Sequence, residues 1–484
     1  MSRRNCACSG EHSRLLSYIS GPGFSRRQFF QVAATGLTGY YFSRVLRPID
    51  VLAQSQVTTQ GTARNCIFVF LAGAPSHVDL FDYKEDADVM RPAGADLQPE
   101  TYGGVRMSRR LLPNMSEALG DVAILRSVYA KALVHQLAQT WAQIGRNPTG
   151  ALGDVSPNIG AVVALEMESR RKPSDVLPGF VAFNSGNIAG AGYFSSRYSP
   201  FQVAPSRTGL AGLSHPDGAA RFNNRWQLIQ DLDTPLRVDS TMGKSAEDMA
   251  EFYSSALQLM GSPEVSQAFQ YTADEQTRYG NSTFGGACVT ARNLLKVNRG
   301  TRFITISLGG WDMHNNIYTG NNSLLTLAPM LDTGLANLIK DLKSTPSPET
   351  ADKSLFDETL IVAQGEFGRT PEFNGQGGRD HFLRQFSLFA GGGVEGGKVI
   401  GQTDRTGSAA VDYGWHGRRD IRNEDVFATI YSALGIDYTT VRYDDPIGRG
   451  FEYVPFAADG TYEPVVELFK ASPPQSLSRS RRVI

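Results

Sequence analysis

Cysteine is scarce in this 484-residue chain: four in all, none of them in a Cys-x-x-Cys pair. That excludes a disulfide-dense scaffold and a thiolate zinc site. Cys6 and Cys8 fall near the amino terminus, and Cys66 and Cys288, in apolar or small-residue surroundings, read as buried free thiols. An excess of positive charge is also missing, with 47 Lys and Arg against 48 Asp and Glu. Without a basic face there is nothing to meet a phosphate backbone, and no nucleic-acid partner is expected. No uncharged run approaches the roughly twenty apolar residues that a membrane-spanning helix needs, so no stable transmembrane segment is expected. The glycines Gly391-Gly392-Gly393 and Gly396-Gly397 do not continue as Gly-Lys-Ser/Thr, and a nucleotide fold is not expected.

What is present begins with Arg26-Arg27-Gln28-Phe29-Phe30, two arginines ahead of bulky apolar residues, followed by an uncharged stretch from Val32 to Phe42. That is the order of a twin-arginine export signal, ending with small residues near Ala53. The first 53 residues hold seven Arg against Glu11 and Asp50, an excess of +5, which leaves the remainder mildly acidic at −6. Residues 1–53 therefore read as the signal, and the twin-arginine machinery as the partner during export. The mature chain is expected in the periplasm or outside the cell.

Beyond the signal, continuous apolar runs recur at Cys66–Leu71, Val122–Leu125, Phe180–Phe183, Phe303–Leu308, Thr359–Ala363 and Phe386–Ala390. Runs of this kind are strands buried on both faces. Helical patterns lie between them, at Ile159–Glu168, Ala246–Met260, Ala287–Lys296, Val426–Leu434 and along the stripe Leu324, Leu327, Leu331, Leu335, Leu338, Leu342. Alternation of the two predicts an α/β fold with a mostly parallel sheet covered on both sides, in which ligands bind at the carboxyl ends of strands. Residues 54–470 read as one such domain, 185–224 as a long surface insertion rich in Gly, Ser, Pro and Asn, and 471–484 as a flexible tail.

Three strand-following loops concentrate His, Asp and Glu. They are Gly73–Asp82 with His77 and Asp79, Gly309–His314 with Asp312, and Gly365–Thr370 with Glu366 and Arg369. Asp380-His381 follows a little further on. Imidazole and carboxylate together suit one or two divalent ions such as Zn, Mn or Fe, so His77, Asp79, Asp312, His314, Glu366, Asp380 and His381 are the candidate metal ligands. Each His–Asp pair taken alone would be a hydrogen-bonded loop anchor. Arg369 is placed to clasp a phosphate, sulfate or carboxylate, and His135, at an apparent helix start, to move a proton; these two are the candidate catalytic residues. His215 reads as a turn residue and His416 as a surface one.

At these loops, and at Gly391–Gly397, Gly401–Asp404 and Ala428–Asp437, the sequence resembles the exported bacterial family called domain of unknown function 1501. Members are similar to the alkaline phosphatase and sulfatase superfamily, which implies a three-layer α/β/α sandwich with a mixed, mostly parallel sheet and two-metal hydrolysis of phosphate or sulfate esters. The resemblance implies metal roles for Asp79, Asp312, His314, Glu366 and His381, and a small anionic molecule or glycan ester as substrate. It also shows departures. Asp312 and His314 are two residues apart where the superfamily has four, Phe367 stands where a His or Asn is expected, and His135 stands about where a sulfatase carries its nucleophile. Either the usual covalent oxygen nucleophile is absent, or His135 serves as ligand or acid/base group. A metal-dependent ester hydrolase and a non-catalytic binding or structural protein on the same scaffold are both consistent with this.

Overall fold

The alternation of side chains along each apolar run decides the architecture. In strand β1 (Asn65–Phe70) every residue is buried, Cys66, Phe68 and Phe70 on one face and Ile67 and Val69 on the other. A strand that is apolar on both sides needs a layer of helices over each, which short helical segments supply. The computed structural model describes residues 57–86, 89, 97–213, 216–238, 244–470 and 475–477. Residues 1–53, expected to be an export signal, and His215 lie outside the described residues, as does most of the expected tail.

The remaining strands of the main sheet are β2 (Val122–Tyr129), β3 (Phe180–Phe183), β4 (Phe201–Val203), β5 (Phe303–Ser307), β6 (Thr359–Gln364), β7 (Arg384–Ala390) and β8 (Val399–Ile400). They form one eight-stranded sheet in the order β8-β2-β7-β6-β1-β5-β3-β4. All run parallel to β1 except β7, which is antiparallel to both β6 and β2.

The helices are α1 (His135–Ile144), α2 (Ile159–Glu166), α3 (Ala219–Val238), α4 (Lys244–Met260), α5 (Thr283–Val297), α6 (Leu324–Ser344) and α7 (Asn423–Ala433), with shorter turns between. On the Ile67 face, α5 and α6 pack through Ala287, Leu294, Leu331 and Leu335. On the Phe68 face, α2 and α7 pack through Val162, Val163, Phe427 and Ile430. The result is the expected three-layer α/β/α sandwich with a mixed, mostly parallel sheet. Cys66 and Cys288 are free and buried in opposite layers, and burial pushes both thiols up.

The sequence left two strands of the main sheet unread. β4 lies inside the 185–224 segment, where it pairs with β3 as an edge strand, and β8 pairs with β2 at the other edge. With three and two residues, neither is long enough to show a period of two. The same segment also holds the start of α3. Gln475–Leu477, in the stretch expected as tail, pairs antiparallel with Val57–Thr59. Among the described residues, no helix is long and apolar enough to cross a membrane.

Candidate metal centre

The sheet brings four distant parts of the chain to one edge. The loops after β1, β5 and β6 all leave from the carboxyl ends of parallel strands, and α1 begins shortly after β2 ends. Because β7 runs the other way, the residues just before it, His381 among them, reach that same edge. A two-residue ribbon completes the assembly, with Arg369 opposite His381.

There His135, Asp312, His314 and His381 converge, each offering one ligand atom within 4.8 Å of the others. The Oδ1 of Asp312 lies 3.1 Å from His135 Nε2, 3.1 Å from His314 Nε2 and 3.8 Å from His381 Nε2. His314 Nε2 and His381 Nε2 are 2.9 Å apart. Tetrahedral ligands at bonds of about 2.0–2.1 Å stand roughly 3.3 Å from one another, so these spacings match the ligand shell of one ion.

The other nitrogen of each imidazole is already engaged. His135 Nδ1 bonds to Glu366 Oε1 at 2.6 Å, His314 Nδ1 to Asp380 Oδ1 at 2.8 Å, and His381 Nδ1 to the carbonyl of Leu133 at 2.6 Å. Each partner is an acceptor, which places the ring proton on Nδ1 and leaves Nε2 unprotonated, the form in which histidine binds a metal; Arg369 donates to two of these nitrogens, on His314 at 3.2 Å and on His135 at 3.4 Å. Glu366 is fully buried and is held in turn by the Gly73 N–H and by Gln139 Nε2 at 3.0 Å. The rings of His135, His381 and Phe367 pack against one another as a triangle, Phe367 4.7 Å from each imidazole and the two imidazoles edge-on at 4.5 Å, which restricts their rotation.

Electrostatics follow the same geometry. The hydrogen bond to Glu366 outweighs burial and raises the pKa of His135. Burial, with Arg369 nearby, lowers that of His381. Burial would raise Asp312, but the hydrogen bond and charge of Arg369 hold its carboxyl below the ordinary value. The hydrogen bonds from Asn374 and His314 hold Asp380 low. Asp312 is half-exposed, so the cluster opens to solvent.

Of the residues singled out in the sequence, the structure gathers Asp312, His314 and His381 as potential ligands and adds His135 to them. Glu366 and Asp380 stand one bond further out, behind histidines. His77 and Asp79 are not in the cluster. His77 is buried with its Nε2 on the Gly407 carbonyl, and Asp79 is buried in an ion pair with Arg379 and bonds to Ser76 and Tyr318. Both sit on a one-turn helix that points them into the protein.

Arg369 is fully buried, and its donors go to the carbonyls of Gly73, Ala74 and Arg379, to Asp312 and to the Nε2 atoms of His314 and His135. That leaves a guanidinium that fixes Asp312 and ties three loops together, with no N–H spare for an anionic group. Gln139 and Asn374 were not singled out in the sequence. Gln139 follows His135 by four residues on one helix, the spacing that shares a face, and that was a usable signal.

A family model described as protein of unknown function (DUF1501) matches residues 63–457. No curated protein matches the chain. Solved structures similar to it include a protein in the alkaline phosphatase superfamily from Vibrio parahaemolyticus, at 11% identity, covering 79% of this chain and 70% of that one, TM-score 0.35. Others are a putative sulfatase from Bacteroides thetaiotaomicron (12%, 85% and 76%, TM-score 0.36) and a phosphonate monoester hydrolase from Silicibacter pomeroyi (12%, 85% and 77%, TM-score 0.37). At such values the likeness says nothing of chemistry.

Proposed function

The chain belongs to the DUF1501 family of proteins of unknown function, and from that premise we propose that it is an exported, metal-dependent hydrolase acting on an anionic ester. One observation carries the reading. Three imidazoles have their Nδ1 atoms bonded outward and their Nε2 atoms gathered on a half-exposed carboxylate.

The residues fit a divalent ion. Three neutral nitrogen donors and one carboxylate suit Zn, Mn or Fe, and His135, Asp312, His314 and His381 would hold it. Such an ion supplies a Lewis acid that polarises an ester oxygen and lowers the pKa of water. The protein's own contributions are positional. Glu366, Asp380 and the Leu133 carbonyl set the tautomers, Arg369 fixes Asp312, and Phe367 holds two rings in place. Residues 1–53, with Arg26-Arg27, would deliver the protein through the twin-arginine route to the periplasm or beyond.

A second reading, a non-catalytic metal-binding scaffold, is favoured by the count of donors. Four protein ligands complete a tetrahedral shell, and among the described residues no hydroxyl or thiol side chain bonds to any of the four. The two are separated by metal analysis of the full chain purified without chelator, beside a His314→Ala/His381→Ala variant, followed by a panel of phosphate and sulfate esters. About one ion per chain in the parent, none in the variant, and metal-dependent turnover of any ester support the hydrolase. Bound metal with no turnover supports the scaffold, and absence of metal from both proteins rejects both readings.

A further inference from the structure

Next to the cluster, at the same edge of the sheet, is a cavity of about 200 Å³. Its floor is the carboxyl ends of β1 and β5, with Phe68, Phe70, Thr305 and Ser307, and its walls come from α1, the start of α2 and residues 184–188. It is joined to the cluster at two points. Gln139 lines the cavity and donates to Glu366, the carboxylate that holds His135, and Gly309 lies in the loop that carries Asp312.

No charged side chain lines this cavity, although charge crowds the adjacent cluster. An ion entering it would lose water and gain no counter-charge, so charged ligands are disfavoured there. The polar lining consists of amides and hydroxyls. Among the described residues, Gln139 Oε1, Asn184 Oδ1, the side-chain amide of Asn187 and Thr305 Oγ1 have no protein hydrogen-bond partner. They present both donors and acceptors. The wall is also fixed in advance, because Gln143 accepts from the Ala189 N–H at 2.8 Å and donates to the Asn187 carbonyl at 3.0 Å.

We infer that this cavity is a binding pocket for a single uncharged, hydroxyl-rich ring, one sugar unit. Amides and hydroxyls on the walls meet ring hydroxyls, and the aromatic floor of Phe68 and Phe70 meets the C–H face that a sugar ring also carries. As a statement about substrate it rests on the proposed function, with the ring in the cavity and its ester group toward His314. As a statement about binding it needs no metal.

The test uses the full chain and ligand-observed saturation-transfer NMR, with glucose, galactose and N-acetylglucosamine as probes and glucuronate as the charged control. Gly186 lines the cavity at an exposed position without a positive φ, and a Cβ there meets nothing within 4 Å, so Gly186→Leu adds bulk at the cavity's rim without straining the backbone. Asn187→Ala removes a side chain that bonds to nothing else and leaves folding untouched.

At least one neutral sugar is expected to bind the parent more tightly than glucuronate. Gly186→Leu is expected to abolish that binding, and Asn187→Ala to weaken it roughly three- to tenfold, the loss of one hydrogen bond. The His314→Ala/His381→Ala variant is expected to bind sugar as the parent does. If no neutral sugar binds, or both pocket variants bind like the parent, the pocket reading is overturned while the metal reading stands. If sugar binds and metal does not, the metal reading is overturned and the pocket stands. Preference for glucuronate would also overturn the pocket as described.

Discussion

His135 and Glu366, 231 positions apart in the chain, meet at 2.6 Å, and the Glu366 carboxylate, which also accepts from the Gly73 N–H and from Gln139, is wholly buried. Glu366 thus orients a candidate ligand without touching the place where an ion would sit. Changing such an outer partner costs metal affinity more than fold. Glu366→Gln keeps the shape and an acceptor but loses the charge, and is expected to weaken Zn or Mn binding about 10- to 100-fold. Competition against a chelator of known affinity measures this. Unchanged affinity would remove Glu366 from the account of the site.

Asp79 and Arg379 form an ion pair in which both side chains are completely buried. Removing one partner from such a pair costs about 3–5 kcal/mol. Asp79→Asn is therefore expected to lower the stability of the protein by about that amount in denaturant unfolding while leaving its metal content intact. Loss of metal at unchanged stability would instead return Asp79 to the ligand set that the sequence resemblance implied for it.

The difference between Asp79 and Asp312 shows how much of this site the sequence could convey. Both follow a buried strand in a glycine-bearing loop, and composition gives them equal claims. What separates them is direction: Asp79 ends a one-turn helix facing inward, and Asp312 sits half-exposed at the sheet edge. The strands themselves were legible because burial on both faces leaves uninterrupted apolar runs, as in Thr359–Gln364. The edge strands Phe201–Val203 and Val399–Ile400 were not, because so few residues carry no period. The partners of Arg369 were not legible for a related reason. Half of them are backbone carbonyls, and those leave no mark in a sequence.

Gly378 is packed against the loop that carries His314. A Cβ there would lie 2.0 Å from the His314 carbonyl carbon and 2.4 Å from the Asn315 nitrogen, both of them backbone, so neither can rotate aside. Gly378→Ala must separate the loop of Asp312 and His314 from that of Asp380 and His381. Loss of metal binding is expected with the sheet still folded, read as metal content beside far-ultraviolet circular dichroism. Retention of a full ion would mean that the two loops do not act on one site.

His416, away from the cluster, bridges Glu463 through Nε2 at 2.9 Å and Glu467 through Nδ1 at 3.0 Å. Burial pulls its pKa down, but the two hydrogen-bonded carboxylates outweigh that and leave it raised above the ordinary 6.5. A histidine raised on folding stabilises the protein fully below its unfolded pKa, and that contribution is lost as pH climbs through the folded value. The side chain is 41% exposed, so solvent screening limits the effect to about 1 kcal/mol or less. The stability gap between parent and His416→Ala is accordingly expected to be widest near pH 5.5–6, to narrow toward pH 8–9, and to shrink in high salt. A gap that widened with pH would mean that folding lowers the pKa of the imidazole, and the two carboxylates would then not be stabilising its charged form.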